Sequence, residues 1–180
     1  MKFTMIVPAL LAIISAVAAA ALPNEGGKPL ADGYYRTYID ASGETINKFT
    51  PLSELINATE TPIEARSELQ DRDSIQKRRE GCGGYVSTYD SDQANAALIN
   101  TFSRNDVIIA AGDRRSIVWG TATSFVCAYS SGTKYKPDIA GSWSYVKNTL
   151  CGQNRGGYAQ VVGGSGDWTA GFTWNGDHYC

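Results

Sequence analysis

All four cysteines of this 180-residue chain, Cys82, Cys127, Cys151 and Cys180, fall after the tribasic step Lys77-Arg78-Arg79. An even set of cysteines confined to one part of a chain calls for an oxidising compartment and for bridges within that part. The basic triplet stands just before the first cysteine and reads as a processing site. Cleavage after Arg79 would release residues 80–180, a glycine-rich piece holding every cysteine. What precedes it is then made to be discarded.

The amino-terminal end sets the route. Lys2 gives a positive start, residues 6–18 form an apolar run, and Ala19, Ala20 and Ala21 are the small residues a signal peptidase accepts. The run is mostly alanine and no basic stop-transfer cluster follows it. A cleaved signal over residues 1–21 and a secreted, extracellular product are expected, with no membrane span afterwards.

Composition bounds that product. Its 101 residues carry seven Lys/Arg against eight Asp/Glu, which gives no electrostatic reason to bind nucleic acid or anionic membrane. A chain of this size makes one domain with a modest core, so two disulfides should matter to its stability. Metal binding is disfavoured, because no Cys-x-x-Cys pair exists and His178 is the only histidine. No cofactor is expected, and the product is expected to be a monomer.

Residues 22–79 form the expected propeptide. Gly33 to Ile39 and Glu44 to Phe49 are rich in aromatic and β-branched residues around Asp40-Ala-Ser-Gly43, a hairpin pattern. Ser53 to Glu80 is charged, with little core potential, and reads as a linker carrying the cut site. Asn57-Ala-Thr59 is the sole glycosylation sequon and lies in the discarded part. Two roles are open: a spacer read by the secretory pathway, or a hairpin that pairs with a sheet edge and keeps the product inactive or soluble until cutting.

In the second half, Cys82 to Tyr89 reads as a short strand. A helix over about 92–103, capped by Asp90 or Ser91, places Ala94, Ala97, Leu98, Thr101 and Phe102 on one stripe. Arg114 to Gly120 and Ala122 to Tyr129 read as strands. Pro137-Asp138 opens a second helix with Ile139, Trp143, Val146 and Leu150 on one face, and Gly152 can end it. Tyr158 to Val162 and Trp168 to Trp174 form a hairpin around Gly163-Gly-Ser-Gly-Asp167. That glycine run joins two strands and does not lead into a helix, so it is no phosphate cradle.

The order β-α-β-β-α-β plus a final strand predicts an α+β two-layer sandwich, an antiparallel sheet of 4–5 strands with two helices on one face. If each element runs the full height of the sandwich, Cys127 and Cys151 stand at opposite ends of a helix about 18 Å long. A bridge tolerates only about 7 Å between Cα atoms. The layout therefore favours Cys82–Cys127 with Cys151–Cys180, and Cys82–Cys180 with Cys127–Cys151 as the weaker choice.

The cysteine frame Gly81-Cys-Gly83, Ser124-Phe-Val-Cys127, Leu150-Cys-Gly152 and terminal Cys180 resembles that of small secreted cysteine-containing proteins of filamentous fungi. Signal peptide, short prodomain and kexin-type Lys-Arg-Arg site are similar to theirs, and the strand–helix order resembles the α/β folds of fungal killer toxins and of killer-toxin-like effectors. The opening Cys-Gly-Asp-Ser pattern of the necrosis-inducing effector family is absent. The resemblance implies a non-enzymatic effector or toxin-like protein that recognises a host or competitor protein or glycan.

Enzymatic alternatives find less support in the residues. A guanyl-specific ribonuclease, which a small acidic Gly/Tyr-rich domain also resembles, needs histidine and glutamate beside arginine. The released piece has only His178 and Glu80 of the first two kinds. Asp106 with Asp113, or Asp167 with Asp177, could supply a glycosidase pair, but each fits a turn or cap. No free thiol remains once the cysteines are bridged, and Asp177-His178 beside serines is not a triad by adjacency alone. A small secreted hydrolase is thus the third reading.

Aromatic side chains are the better candidates. Trp119, Phe125 and Trp143 fall on core stripes. Trp168, Phe172 and Trp174 alternate on one strand face that is either core or, if open, a strip with Tyr158 and Tyr179 suited to sugar rings or a protein. The open strip defines the second function reading, a carbohydrate-binding or cell-wall-associated protein. Arg114-Arg115 and the pair Lys134 and Lys136 read as solvated loop charges.

Overall fold

Segments of period two and period 3.6 alternate along the chain. The computed structural model describes residues 28–56, 79–162 and 166–180 and gathers these segments around one large sheet. In order they are β1 (Gly33–Ile39), β2 (Thr45–Pro51), α1 (Leu52–Ile56), β3 (Glu80–Tyr85), α2 (Thr88–Asn100), β4 (Asp106–Ile109), β5 (Arg114–Trp119), β6 (Ala122–Ala128), β7 (Gly132–Tyr135), α3 (Lys136–Tyr145), β8 (Arg155–Val161) and β9 (Trp168–Trp174). A π-helical turn, Val146–Leu150, extends α3. The large sheet runs β2-β1-β5-β6-β9-β8-β3, and β4 pairs with β7 in a second, two-stranded sheet.

Every neighbouring pair in the large sheet is antiparallel, as expected for the α+β class. The sheet has seven strands rather than 4–5 because the early hairpin is part of it. β1 lies against β5 in a register running from Gly33 opposite Val118 to Thr37 opposite Arg114. The hairpin thus pairs with the sheet through β1 and β5. The signal segment, Asn57, Lys77 and Arg78 lie outside the described residues.

Both long helices cover the same sheet face. Ala94 and Leu98 of α2 and Ile139 and Trp143 of α3 share one core with Ile117, Val126, Ala170 and Phe172. α2 begins earlier than its stripe suggested, because Ser87 rather than Asp90 or Ser91 caps it, accepting from the Asp90 amide. Ser91 is instead buried inside the first turn, its hydroxyl donating to the Thr88 carbonyl. Pro137 occupies the first turn of α3, where its missing N–H costs nothing. Gly152, at φ +88°, closes the end.

The cysteines pair as Cys82–Cys151 and Cys127–Cys180, with Cα atoms 5.4 and 6.0 Å apart. Neither pairing expected from the sequence occurs. The layout behind them kept consecutive elements side by side. In fact β3 sits at the far edge beside β8, with Cys82 opposite Gly157. The π-helical turn delivers Cys151 to the same place, its Sγ 2.6 Å from where a Gly157 side chain would begin. Residues 175–180 turn back across the face without helices, so Cys180 meets Cys127.

Strands β8 and β9 approach so closely that a Cβ on Gly171 would lie 2.3 Å from the Gly157 carbonyl oxygen. That contact requires glycine.

Peptide mapping of the unreduced protein should yield the cross-linked pairs Cys82–Cys151 and Cys127–Cys180, and any other pairing would refute this topology. Phe172, with no exposed surface, packs at the core centre. Phe172→Ala should cost about 3–5 kcal/mol in denaturant unfolding.

Candidate functional site

The helix-covered face carries the larger concavity. α2 and α3 diverge to leave a groove of about 470 Å³. Ile99 and Ala96 line one wall, Pro137, Ala140 and Trp143 the other, and Asn95, Asn105, Asn148 and Gln153 add amides. An ion pair between Lys147 and Asp92 joins the two helices at the rim. Gln153 donates to Asn148, which donates to the Ser144 hydroxyl, fixing a polar edge along α3. Lys136 stands at one end, its ammonium lowered by burial.

Two residues that line this groove each bury a polar atom with no hydrogen-bond partner among the described residues: Trp143 its Nε1, a donor, and Asn95 its Oδ1, an acceptor. Trp143 is only 4% exposed. A buried polar group without a partner costs about 1–3 kcal/mol, so such atoms mark places where a ligand group can repay the loss. Trp143 was expected as a core residue, and it is. Its position on the α3 stripe could not show that its indole edge also faces a groove.

The opposite face is closed by the chain end. The Tyr179 ring stacks on Phe125 with centroids 4.9 Å apart, and its hydroxyl lies 2.7 Å from the Ser116 hydroxyl. Burial pushes the Tyr179 phenol up to about 12, opposed by the Ser116 hydrogen bond. Beside it a smaller cavity of about 330 Å³ is lined by Tyr158, Tyr179, His178, Asp177 and Arg79. Asp177 is occupied structurally, accepting from the Thr173 hydroxyl at 2.6 Å and from the His178 amide at 2.9 Å.

The residues proposed from sequence for an aromatic strip do not form one. Trp168 and Phe172 are fully buried under the helices, which removes them as contact residues. Trp174, in the same alternation but at the strand end, is 40% exposed. Tyr158 is 39% exposed on the other face, so the five aromatics belong to separate surroundings. The four aspartates are likewise dispersed. Asp106 is exposed on β4, and the Asp167 amide is held by the Ser130 hydroxyl.

Asp113 ends a turn, as the sequence suggested, its amide donating to the Ala110 carbonyl, but its side chain does more. It is 1% exposed and binds two arginines, Arg36 through both carboxylate oxygens and Arg115 through one. Arg115 is thereby not a solvated charge, and its guanidinium also lies over the Phe102 ring. Lys134 is fully buried, with its ammonium lowered by burial and partly restored by Asp167. Lys134 escaped because the strand that carries it is only four residues long.

No helix among the described residues is long and apolar enough to cross a membrane, and no cluster of three or more His, Cys, Asp or Glu is arranged to hold a metal. No protein-family model matches the chain, and neither a curated protein nor a solved structure matches it.

The tail makes a pH prediction. The folded-state value of Tyr179 lies above the ordinary 10.0, so its contribution is complete below pH 10 and is lost as pH rises through about 12. In a tyrosinate absorbance titration the last phenol to ionise should vanish in Tyr179→Phe, and an unchanged curve would sink the assignment.

Proposed function

We propose that the chain is a secreted, non-catalytic recognition protein, effector- or toxin-like, whose contact surface is the groove between α2 and α3. The observation that carries this reading is the groove's composition. An apolar floor at Trp143 and Ile99 holds an unpaired donor and acceptor and is rimmed by a charged pair. Protein-binding pockets are built this way, with an apolar anchor point inside a polar ring. The aromatic side chains that could have made a flat sugar platform, Trp168 and Phe172, are spent on the core. Both disulfides and a route through the secretory pathway support an extracellular place of action.

One feature favours the second reading, a carbohydrate or cell-wall ligand. The groove combines an indole with four amide side chains, a set that also suits hydroxyl-rich sugars. The two readings part on the ligand, not on the site.

The test uses protein purified from the medium of a secreting host, applied to plant tissue and to fungal and bacterial cultures, with cell death and growth as readouts. Ala96 is exposed on the groove wall, so Ala96→Trp fills the groove without touching the core. The variant should keep its disulfides and melting behaviour while potency falls by about tenfold or more. Undiminished potency would overturn the site. Saturable binding of a soluble oligosaccharide, lost in Ala96→Trp, with no cellular response to either protein, would replace the protein-recognition reading with the sugar one.

A further inference from the structure

We infer that the β1-facing edge of β5 is a strand-accepting site. The hairpin of residues 28–56 plugs it in the intact chain, and cutting after Arg79 makes that plug exchangeable. The inference goes beyond the groove reading and does not depend on it.

The two parts of the chain differ in how they are held. Both disulfides, Cys82–Cys151 and Cys127–Cys180, close within residues 80–180. Within the large sheet the hairpin touches that part along one line, the β1–β5 pairing. Beyond this ladder its ties are side chains. Arg36 grips Asp113 through two hydrogen bonds of 3.2 and 2.9 Å. The Asn175 amide binds both the Leu30 N–H and its carbonyl, and Asp32 accepts from the Gly120 amide. Tyr34 and Leu55 pack at the margin of the core. All of these are reversible.

The cut site does not interrupt any strand. β2 and β3 occupy opposite edges of the sheet, about 29 Å apart at the usual strand spacing. The 23 residues from 57 to 79 can extend to roughly 75 Å, ample to connect them. Arg79 is exposed, with its carbonyl bound to the Gln160 amide. A basic-site endoprotease adds water across the Arg79–Glu80 peptide bond, leaving a carboxylate on Arg79 and an amine on Glu80. The hairpin then becomes a separate chain, held among the described residues by noncovalent contacts alone.

When it leaves, β5 presents the free N–H and C=O groups of alternate residues between 114 and 118, beside the buried Ile117 and Val118. An edge of this kind is a template for an added strand. The occupant it fits is an extended segment of another protein with the chemistry of β1. That means an aromatic opposite Ile117 and an arginine two residues further on for Asp113. Arginine is required by a buried carboxylate that takes its fork bidentately.

The full secreted chain is cut in solution by a basic-site endoprotease and checked by intact mass. A fluorophore-labelled peptide of residues 28–56 is then added, and anisotropy follows its exchange. The peptide should bind cut protein saturably and uncut protein not at all. An unlabelled competitor carrying Arg36→Ala should be weaker than the native peptide by about tenfold or more, with Arg36→Lys between the two. Failure of the labelled peptide to enter cut protein would overturn the inference, as would equal competition by the Arg36→Ala peptide. Gel filtration supplies the third outcome: a dimer with swapped hairpins also overturns it, because a second copy then closes the edge.

Discussion

β6 is buried at all seven of its residues, and the rest of the architecture follows from that. A strand in an antiparallel sheet usually turns one side to water, and its sequence then alternates. Ala122, Ser124, Val126 and Ala128 are covered by α2 and α3 in the ordinary way. Thr123, Phe125 and Cys127 point to the other face and also need a cover. Neither long helix comes to this face. The cover is assembled from the carboxyl-terminal residues, with Tyr179 stacked on Phe125 and Cys180 tied to Cys127. The second disulfide therefore does more than cross-link distant residues; it pins the only lid this face has among the described residues.

The same two-sided burial explains why the hairpin belongs to the sheet. Ile117 and Val118 are adjacent residues of β5 that face opposite sides, and both are completely buried. Without a neighbour on its outer side β5 would be an edge strand whose apolar side chains and backbone groups meet water together. β1 supplies that neighbour, and Arg36 completes the neutralisation of Asp113 alongside Arg115. A buried carboxylate between two guanidiniums is expensive to desolvate and more expensive to leave half paired. The pair thus fixes register between the two parts of the chain more than it adds stability.

Much of this was legible in the sequence where periodicity is strong. The stripes Ala94–Leu98–Phe102 and Ile139–Trp143–Val146 are buried as their spacing implies, and the hairpin around Asp40-Ala-Ser-Gly43 is present. The disulfide pairing was not legible, because spacing along the chain does not reveal that β3 leaves its sequence neighbours to join β8. The tail was opaque for a different reason: residues 175–180 have no period at all. Alternation of Trp168, Phe172 and Trp174 correctly put them on one face but could not say which face the helices take. The groove escaped notice because Trp143 satisfies the core stripe, and a stripe does not show that the same ring also lines a concavity between α2 and α3.

The groove and the β5 edge are separable in a way that matters for how such a molecule is used. Every residue lining the groove lies between Asp92 and Gln153, inside the part that the disulfides close. The hairpin contributes no side chain to it. Loss of the hairpin would therefore change what the sheet edge can pair with while leaving the groove's Trp143 and the Asp92–Lys147 bridge on a frame still held by Cys82–Cys151. The two helices that form most of the groove's walls also meet in the shared core, so those walls are set by packing, with Asn105 and Gln153 added from connecting segments.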